Sequence, residues 1–296
     1  MPILGYFLFR ATVFLFWLLP FSVIYRLSDA LAWLLYNVIK YRRKVVEEQL
    51  LRAFPDKNAA ELQQIAQLSY QNLADIILES FKGFNLSGDE LRQLYVFKNA
   101  ELIDHYYHQK QTIILTAAHF ANWEWGVLTA QLWIKSTPVG IYKPLSNKYI
   151  EAYTAHNRSR FGMELAKTSE TSLTIEKNKN RLTAIVMVAD QNPSSMAKSH
   201  WMRFLNQDTA CLIGPEKHAR ANNYPVVLID IQRQKRGYYE VTFKPLFEQS
   251  ASTQPNEITE QIMHEFEKII TAKPQDWLWT HKRWKKKRPT ENLTEN

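Results

Sequence analysis

The run "LTAIVMVADQ" (182–191) is apolar without a break until Asp190. A strand with no polar face is buried on both sides, which is the environment of a parallel sheet covered by helices. "TIILTA" (112–117) and "PVGIYKP" (138–144) are shorter apolar, β-favouring runs, and helical segments at 122–134 and 147–160 alternate with them. "PVVLIDIQRQ" and "YYEVTFKPL" flank a "KRG" turn and read as a hairpin, and a last helix covers about 256–272. Before the first strand the chain is helical. Residues 58–80 place Leu62, Ile65, Ser69, Leu73, Ile76 and Ser80 on one stripe, and Asn58 with Glu61 has the spacing of a capping box. The order implies an α/β fold with a mixed central sheet flanked by helices.

A second long apolar run lies at the amino end. Residues 3–25, "ILGYFLFRATVFLFWLLPFSVIY", carry one charge, Arg10. As a single helix they would extend about 35 Å, enough to cross a hydrocarbon core. Arg10 and Pro20 count against simple spanning, since a mid-membrane charge is costly and proline bends a helix. The cluster "KYRRK" (40–44) then marks the cytoplasmic side. A cleaved signal peptide is disfavoured: no basic region precedes the run and no small-residue cleavage site follows it. The expectation is a membrane-anchoring helical segment over 1–40, spanning or lying in the interface, and a single further domain over 41–296, with "LAWLLYNVI" (31–39) as a second packed or interfacial helix.

Charge and cysteine content narrow the function classes. Thirty-seven Lys and Arg against 29 Asp and Glu give a net charge of +8, which suits an anionic partner: nucleic acid, lipid head groups or an acidic protein. The lone cysteine, Cys211, cannot form an intrachain disulfide. No HExxH, zinc-spaced Cys/His cluster, Walker loop or G-x-G-x-x-G occurs, so neither metal nor nucleotide cofactor is expected.

Polar chemistry gathers after two of the strands. His119 follows the first and Asp190 ends another, and the crevice beyond the carboxyl ends of strands is where α/β sheets hold their sites. His119 and Glu124 are five residues apart; on one continuous helix they would point about 140° apart. A working pair therefore requires a break, with His119 in the loop and Glu124 in the first turn of the next helix. A carboxylate on one ring nitrogen would leave the other free to deprotonate a hydroxyl. Taken bare, H-x-x-x-x-E is more often structural than catalytic.

"HFANWE" (119–124) resembles the H-x-x-x-x-D/E motif of the lipid A biosynthesis acyltransferases, a branch of the lysophospholipid acyltransferase superfamily. "RRKVVEEQLLRAFP" (42–55), "NRSRFG" (157–162), "VADQNP" (188–193), "GPEKHARANNYPVV" (214–227) and "PQDWLWTHKRWKKKRP" (274–289) follow in family order and cover most of the chain. The resemblance implies a glycerol-3-phosphate acyltransferase-like fold at the inner membrane, and transfer of a fatty acyl chain from acyl carrier protein to a hydroxyl of a lipid A precursor. It implies His119 as general base and Glu124 as its orienting carboxylate. Arg158 or Arg160 would meet an acceptor phosphate or the oxyanion, and Asp190 would complete the polar site. Asn122 either touches substrate or holds the loop, and Lys143 either meets a head group or faces water. Rival readings are acylation of an aminoacyl lipid or lysophospholipid, and a non-catalytic membrane lipid-binding protein.

Two positions depart from the family pattern. Ala121 stands where many relatives carry glycine, and Asn206, in "RFLNQDTA" (203–210), replaces a turn glycine in a loop expected to help shape the site. Asn tolerates a left-handed backbone, so the turn is expected to survive. The basic run at 282–288 suits an anionic membrane surface or acidic acyl carrier protein better than nucleic acid, for which no binding motif is present.

Overall fold

The computed structural model describes residues 2–196 and 199–288. Its centre is a sheet of seven strands in the order β1-β9-β8-β2-β5-β3-β4. These are β1 (Tyr95–Phe97), β2 (Ile113–Ala117), β3 (Thr137–Tyr142), β4 (Glu164–Lys167), β5 (Thr183–Val188), β8 (Val226–Lys235) and β9 (Tyr238–Phe247). Every pairing is parallel except the β8–β9 hairpin, so the sheet is mixed with a parallel centre. All five residues of β2 are buried, as the unbroken apolar runs require. Helices α7 (Trp123–Trp133), α8 (Lys148–Ser159) and α9 (Thr171–Lys177) connect the parallel strands, and α10 (Gly214–Asn222) and α11 (Glu257–Ala272) complete the flanking layers.

The short strands β1 and β4 have no alternating pattern of their own and were not legible as strands. Neither was a separate antiparallel hairpin, β6 (Ser199–Phe204) and β7 (Gln207–Leu212). Its two-residue turn, Leu205–Asn206, has positive φ at both positions (47° and 62°), the backbone that matches strand twist in a tight hairpin. Asn206 thus keeps the turn expected of it. The hairpin packs on α11, and Leu205 N–H donates to Glu267. None of residues 203–210 lines the cavity described below.

The amino end corrects an expectation. The apolar run is two helices, α1 (Pro2–Leu18) and α2 (Phe21–Trp33), broken at Pro20, whose extended backbone (φ −69°, ψ 155°) turns the chain. At 1.5 Å per residue α1 is about 25 Å long. No helix among the described residues is long and apolar enough to cross a membrane. The segment 31–39 is the end of α2 continued by one π-helical turn, Leu34–Val38. Helix α1 instead packs on α4 (Ala59–Gly83) and α8: Phe9 meets Phe81 and Phe84, and Arg10 sits 4.4 Å above the Tyr153 ring. The aromatic face accommodates a charge that a hydrocarbon core would not. The outer faces of α1 and α2 expose large apolar side chains, among them Leu4 (65%), Phe7 (63%) and Trp33 (61%).

Helix α4 is the pillar between these helices and the sheet. Its Asn58–Glu61 capping box forms as read, with each side chain bonded to the other's backbone N–H. The stripe read as its core face buries Ser69 and Ile76, and the same helix also buries two carboxylates, Asp75 and Glu79. Asp75 takes Arg233 from the end of β8, Arg236 from the β8–β9 turn and the Ser28 hydroxyl from α2. Gly237 in that turn has φ +74°, and a Cβ there would lie 2.2 Å from the Tyr25 hydroxyl, so only glycine serves.

Candidate active site

Strands β2 and β5 run side by side in parallel with Ala117 opposite Val188. Two residues further along each strand, the same register brings His119 and Asp190 together. His119 Nδ1 lies 2.7 Å from Asp190 Oδ1. An ionised carboxylate only accepts, so Nδ1 carries the proton and Nε2 is the lone-pair nitrogen. Gln191 Nε2 lies 3.2 Å from that Nε2 and donates to it. The other Asp190 oxygen accepts from the Trp277 indole at 2.8 Å. Burial pushes the Asp190 carboxyl up, but the His119 charge, its hydrogen bond and the Trp277 indole together hold it below the usual range. Burial pushes His119 down, yet Asp190, through charge and hydrogen bond, and the Glu124 charge outweigh it and hold the imidazole above its ordinary value.

The helix break that the five-residue spacing demands is present. His119 lies in the loop, Asn122 caps α7 by accepting from Trp125 N–H at 3.0 Å, and Glu124 is in the first turn. The hydrogen-bond partners nonetheless differ from the expected pairing. Glu124 accepts from Arg158 Nη2 at 2.8 and 3.0 Å, and the carboxylate that orients the imidazole is Asp190. The physical reason is register: neighbouring strand ends place Asp190 beside His119, whereas α7 directs Glu124 toward α8. Glu124 reaches His119 through its field rather than through a bond.

The remaining candidates separate cleanly. Arg160 donates to the carbonyls of Gly83, Phe84 and Leu86 and thus caps the end of α4. Asn122 is fully buried and donates to Glu79 at 2.6 Å, so it holds the loop and is out of reach of a substrate. Lys143 follows the carboxyl end of β3, is exposed, and does not line the cavity. Trp125 is buried, and Trp123 packs edge-on to the His119 ring with centroids 5.1 Å apart.

The carboxy-terminal motif packs against the loop that carries His119. Phe120 and Trp277 form a β-bridge, Leu278 N–H donates to His119 O at 3.1 Å, and Ala121 N–H donates to Asp276 O at 2.8 Å. The loop carrying His119 is therefore clamped backbone to backbone by residues 276–278. Ala121 takes φ +49°, a left-handed conformation that glycine would adopt without steric cost. His281 accepts from Asn192, and burial pushes its pKa down to about 4, so it is neutral near pH 7. Arg283, counted above in the basic run, is 1% exposed and donates to Asn192 and Ala210 O; Lys282, Lys285, Lys287 and Arg288 remain exposed. Pro289, the last residue of that motif, lies outside the described residues.

A cavity of about 640 Å³ lies beside this site: His119 and Asp190 do not line it, but Trp123, which packs on the His119 ring, does. Trp123, Glu124, Arg158 and His281 border its polar end, and Leu73, Ile76 and Phe81 of α4, Phe84 just after it and Phe9 of α1 form its apolar body. Its size and lining suit a flexible apolar ligand. No group of three or more His, Cys, Asp or Glu side chains among the described residues is arranged to hold a metal.

The sequence matches known proteins along most of its length. A family model described as "Bacterial lipid A biosynthesis acyltransferase" matches residues 1–286. The lipid A biosynthesis lauroyltransferase of Escherichia coli (strain K12) is 24% identical over 271 residues, covering 90% of this chain and 87% of the relative.

Proposed function

The chain belongs to the bacterial lipid A biosynthesis acyltransferase family, and from that premise we propose that it moves a fatty acyl group from an acyl carrier protein thioester to a free hydroxyl of a lipid A precursor. The observation that carries the reading is the His119–Asp190 pair at 2.7 Å, beside an apolar cavity at the carboxyl ends of two parallel strands. His119 Nε2, freed from Gln191, takes the proton of the acceptor hydroxyl as its oxygen attacks the thioester carbonyl. The C–S bond then breaks, the imidazolium gives its proton to the departing thiolate, and an ester, a thiol and a neutral His119 remain. Asp190 fixes the tautomer and stabilises the imidazolium, and the field of Glu124 adds to this. Arg158 positions Glu124. The acyl chain and the lipid tails need apolar surroundings, which the cavity provides.

From the exposed apolar faces of α1 and α2 we propose that the enzyme lies in the interface of the inner membrane on its cytoplasmic side, in the plane rather than across it. Purified protein given acyl carrier protein thioester and a lipid A precursor yields a product heavier by one acyl group, read by mass spectrometry. His119→Ala lowers the rate by about 10²–10⁴; wild-type turnover in that variant would remove the base assignment. Recovery of the protein wholly in the aqueous phase, away from anionic vesicles, would remove the membrane placement.

A further inference from the structure

The cations at the cavity are not equivalent. Arg158 is neutralised by Glu124, and His281 is uncharged near pH 7. Arg42, which also lines the cavity, is different. Its neighbours on α3 (Arg43–Ala53) are partnered, Arg43 with Glu47 at 2.7 Å and Lys44 with Glu48 at 3.9 Å. Arg42 has no carboxylate partner among the described residues: Nη1 donates to Thr280 O at 3.0 Å, and the guanidinium lies 5.6 Å from the Tyr41 ring centroid. That tether holds the group beside His281, at the polar end of a cavity whose body is apolar, and leaves its remaining N–H donors free. One unneutralised planar cation at the rim of an apolar cavity, continuous with the Glu124 end, matches an amphiphile whose head carries a phosphate.

Resting on the acyl-transfer reading, we propose that Arg42 binds a phosphate of the lipid acceptor and so orients the acceptor hydroxyl toward His119. Arg158, committed to Glu124, does not take that role.

The test uses full-length wild type, Arg42→Gln and Arg42→Lys, with a phosphorylated lipid A precursor and the same lipid stripped of phosphate. Binding is measured in detergent and transfer by mass spectrometry. Arg42→Gln raises both Kd and KM for the phosphorylated acceptor about tenfold or more. Its kcat changes far less, and its loss on the phosphate-free lipid is several-fold smaller. Arg42→Lys recovers part of the loss, because an ammonium keeps the charge without the fork. Inorganic phosphate that competes in wild type and not in Arg42→Gln identifies the phosphate itself as the ligand; competition by the phosphorylated lipid alone assigns the seat to the lipid head group. Equal loss on both acceptors, as a broken Thr280 tether would give, or no loss on either, overturns the proposal. A wild-type enzyme that transfers normally beside an indifferent Arg42→Gln refutes only this inference. A wild type that binds the phosphorylated lipid through Arg42 and transfers nothing refutes the transfer reading instead. Arg42→Lys, closer in shape, carries the comparison if Arg42→Gln melts below wild type.

Discussion

Asp190 and Glu79 are both buried carboxylates, 1% and 0% exposed, and both bond to the segment that carries the candidate base. Their surroundings push them in opposite directions. Asp190 faces an imidazole that gains by becoming charged, and its carboxyl is held below its usual range. Glu79 accepts from Tyr25 at 2.9 Å, Asn122 at 2.6 Å and Tyr239 at 2.7 Å, all neutral donors. Burial, with the nearby Asp75 charge, raises it despite those bonds and despite the charge of Arg233. The carboxylate with a titratable partner and a neighbouring cavity is equipped for proton transfer. The one ringed by neutral donors is a fastener: through Asn122 it fixes the start of α7, while residues 276–278 fix the other side of the loop.

Substituting each carboxylate by its amide or by alanine is the strongest way to break this contrast. Asp190→Asn removes the negative charge that fixes the imidazole tautomer and supports the imidazolium. The expected result is a rate lower by about 10²–10⁴ with the melting temperature near that of wild type. Glu79→Ala leaves three donors without their acceptor, two of them buried and Tyr25 partly so, a cost of about 3 kcal/mol or more in unfolding free energy, and Glu79→Gln about 1–2 kcal/mol. In those variants the surviving folded fraction keeps its turnover. Equal loss of rate in both families, or a stable Glu79→Ala, would show that the two carboxylates do not differ in kind.

How much of this was legible follows from particular residues. The runs 112–117 and 182–191 were identifiable as strands, and their ends as a site, because unbroken apolar sequence needs cover on both faces. That these strands are neighbours, with Ala117 opposite Val188, is a long-range fact that no local pattern records. Without it Asp190 was a second polar group near the site; with it, Asp190 becomes the partner of His119. Glu124 is close to His119 in sequence, but chain proximity is a poor guide where a helix starts between two residues. Pro20 sits in an apolar run long enough for one spanning helix, and only the packing of α1 on α4 and α8 shows that the proline divides it. Arg283 was hidden for the opposite reason: a charge among charges reads as solvated, and only the packing of residues 210–211 around it reveals a buried donor.

Acidity offers a finer separation. A general base must be neutral, and His119 is held above its ordinary value, so kcat/KM rises with pH through a limb above that of a free histidine. Asp190→Asn moves that limb to lower pH, whereas Glu79→Gln leaves it in place. Stability responds with the matching signs. His119, raised, contributes stability that is present below its unfolded pKa and lost as pH rises through the folded one. Asp190, lowered, contributes stability that is present above its unfolded pKa and lost as pH falls through the folded one. Glu79 opposes it: with a raised pKa, its contribution declines as pH climbs from the unfolded value through the folded one. A pH–rate profile that shifts equally in both variants would mean that Glu79 also sets the proton affinity of His119.

The smallest effect concerns the loop itself, between the two carboxylates. Ala121 holds φ +49° and is fully buried, with its N–H bonded to Asp276. Replacing it by glycine relieves a left-handed backbone penalty of about 1–2 kcal/mol. Against this stand the greater freedom of glycine in the unfolded chain, about 0.4–1 kcal/mol, and the loss of one buried methyl, about 0.8 kcal/mol. These terms nearly cancel, so Ala121→Gly shifts unfolding free energy by less than about 1 kcal/mol. Ala121→Val keeps the burial but adds β-branching at positive φ, so it is the harsher change, lowering the melting temperature by several degrees. Comparing the two isolates the backbone from the side chain. If valine is as well tolerated as glycine, the loop is not held in the left-handed conformation by the clamp from residues 276–278, and the positioning of His119 rests on Asp190 and Asn122 alone.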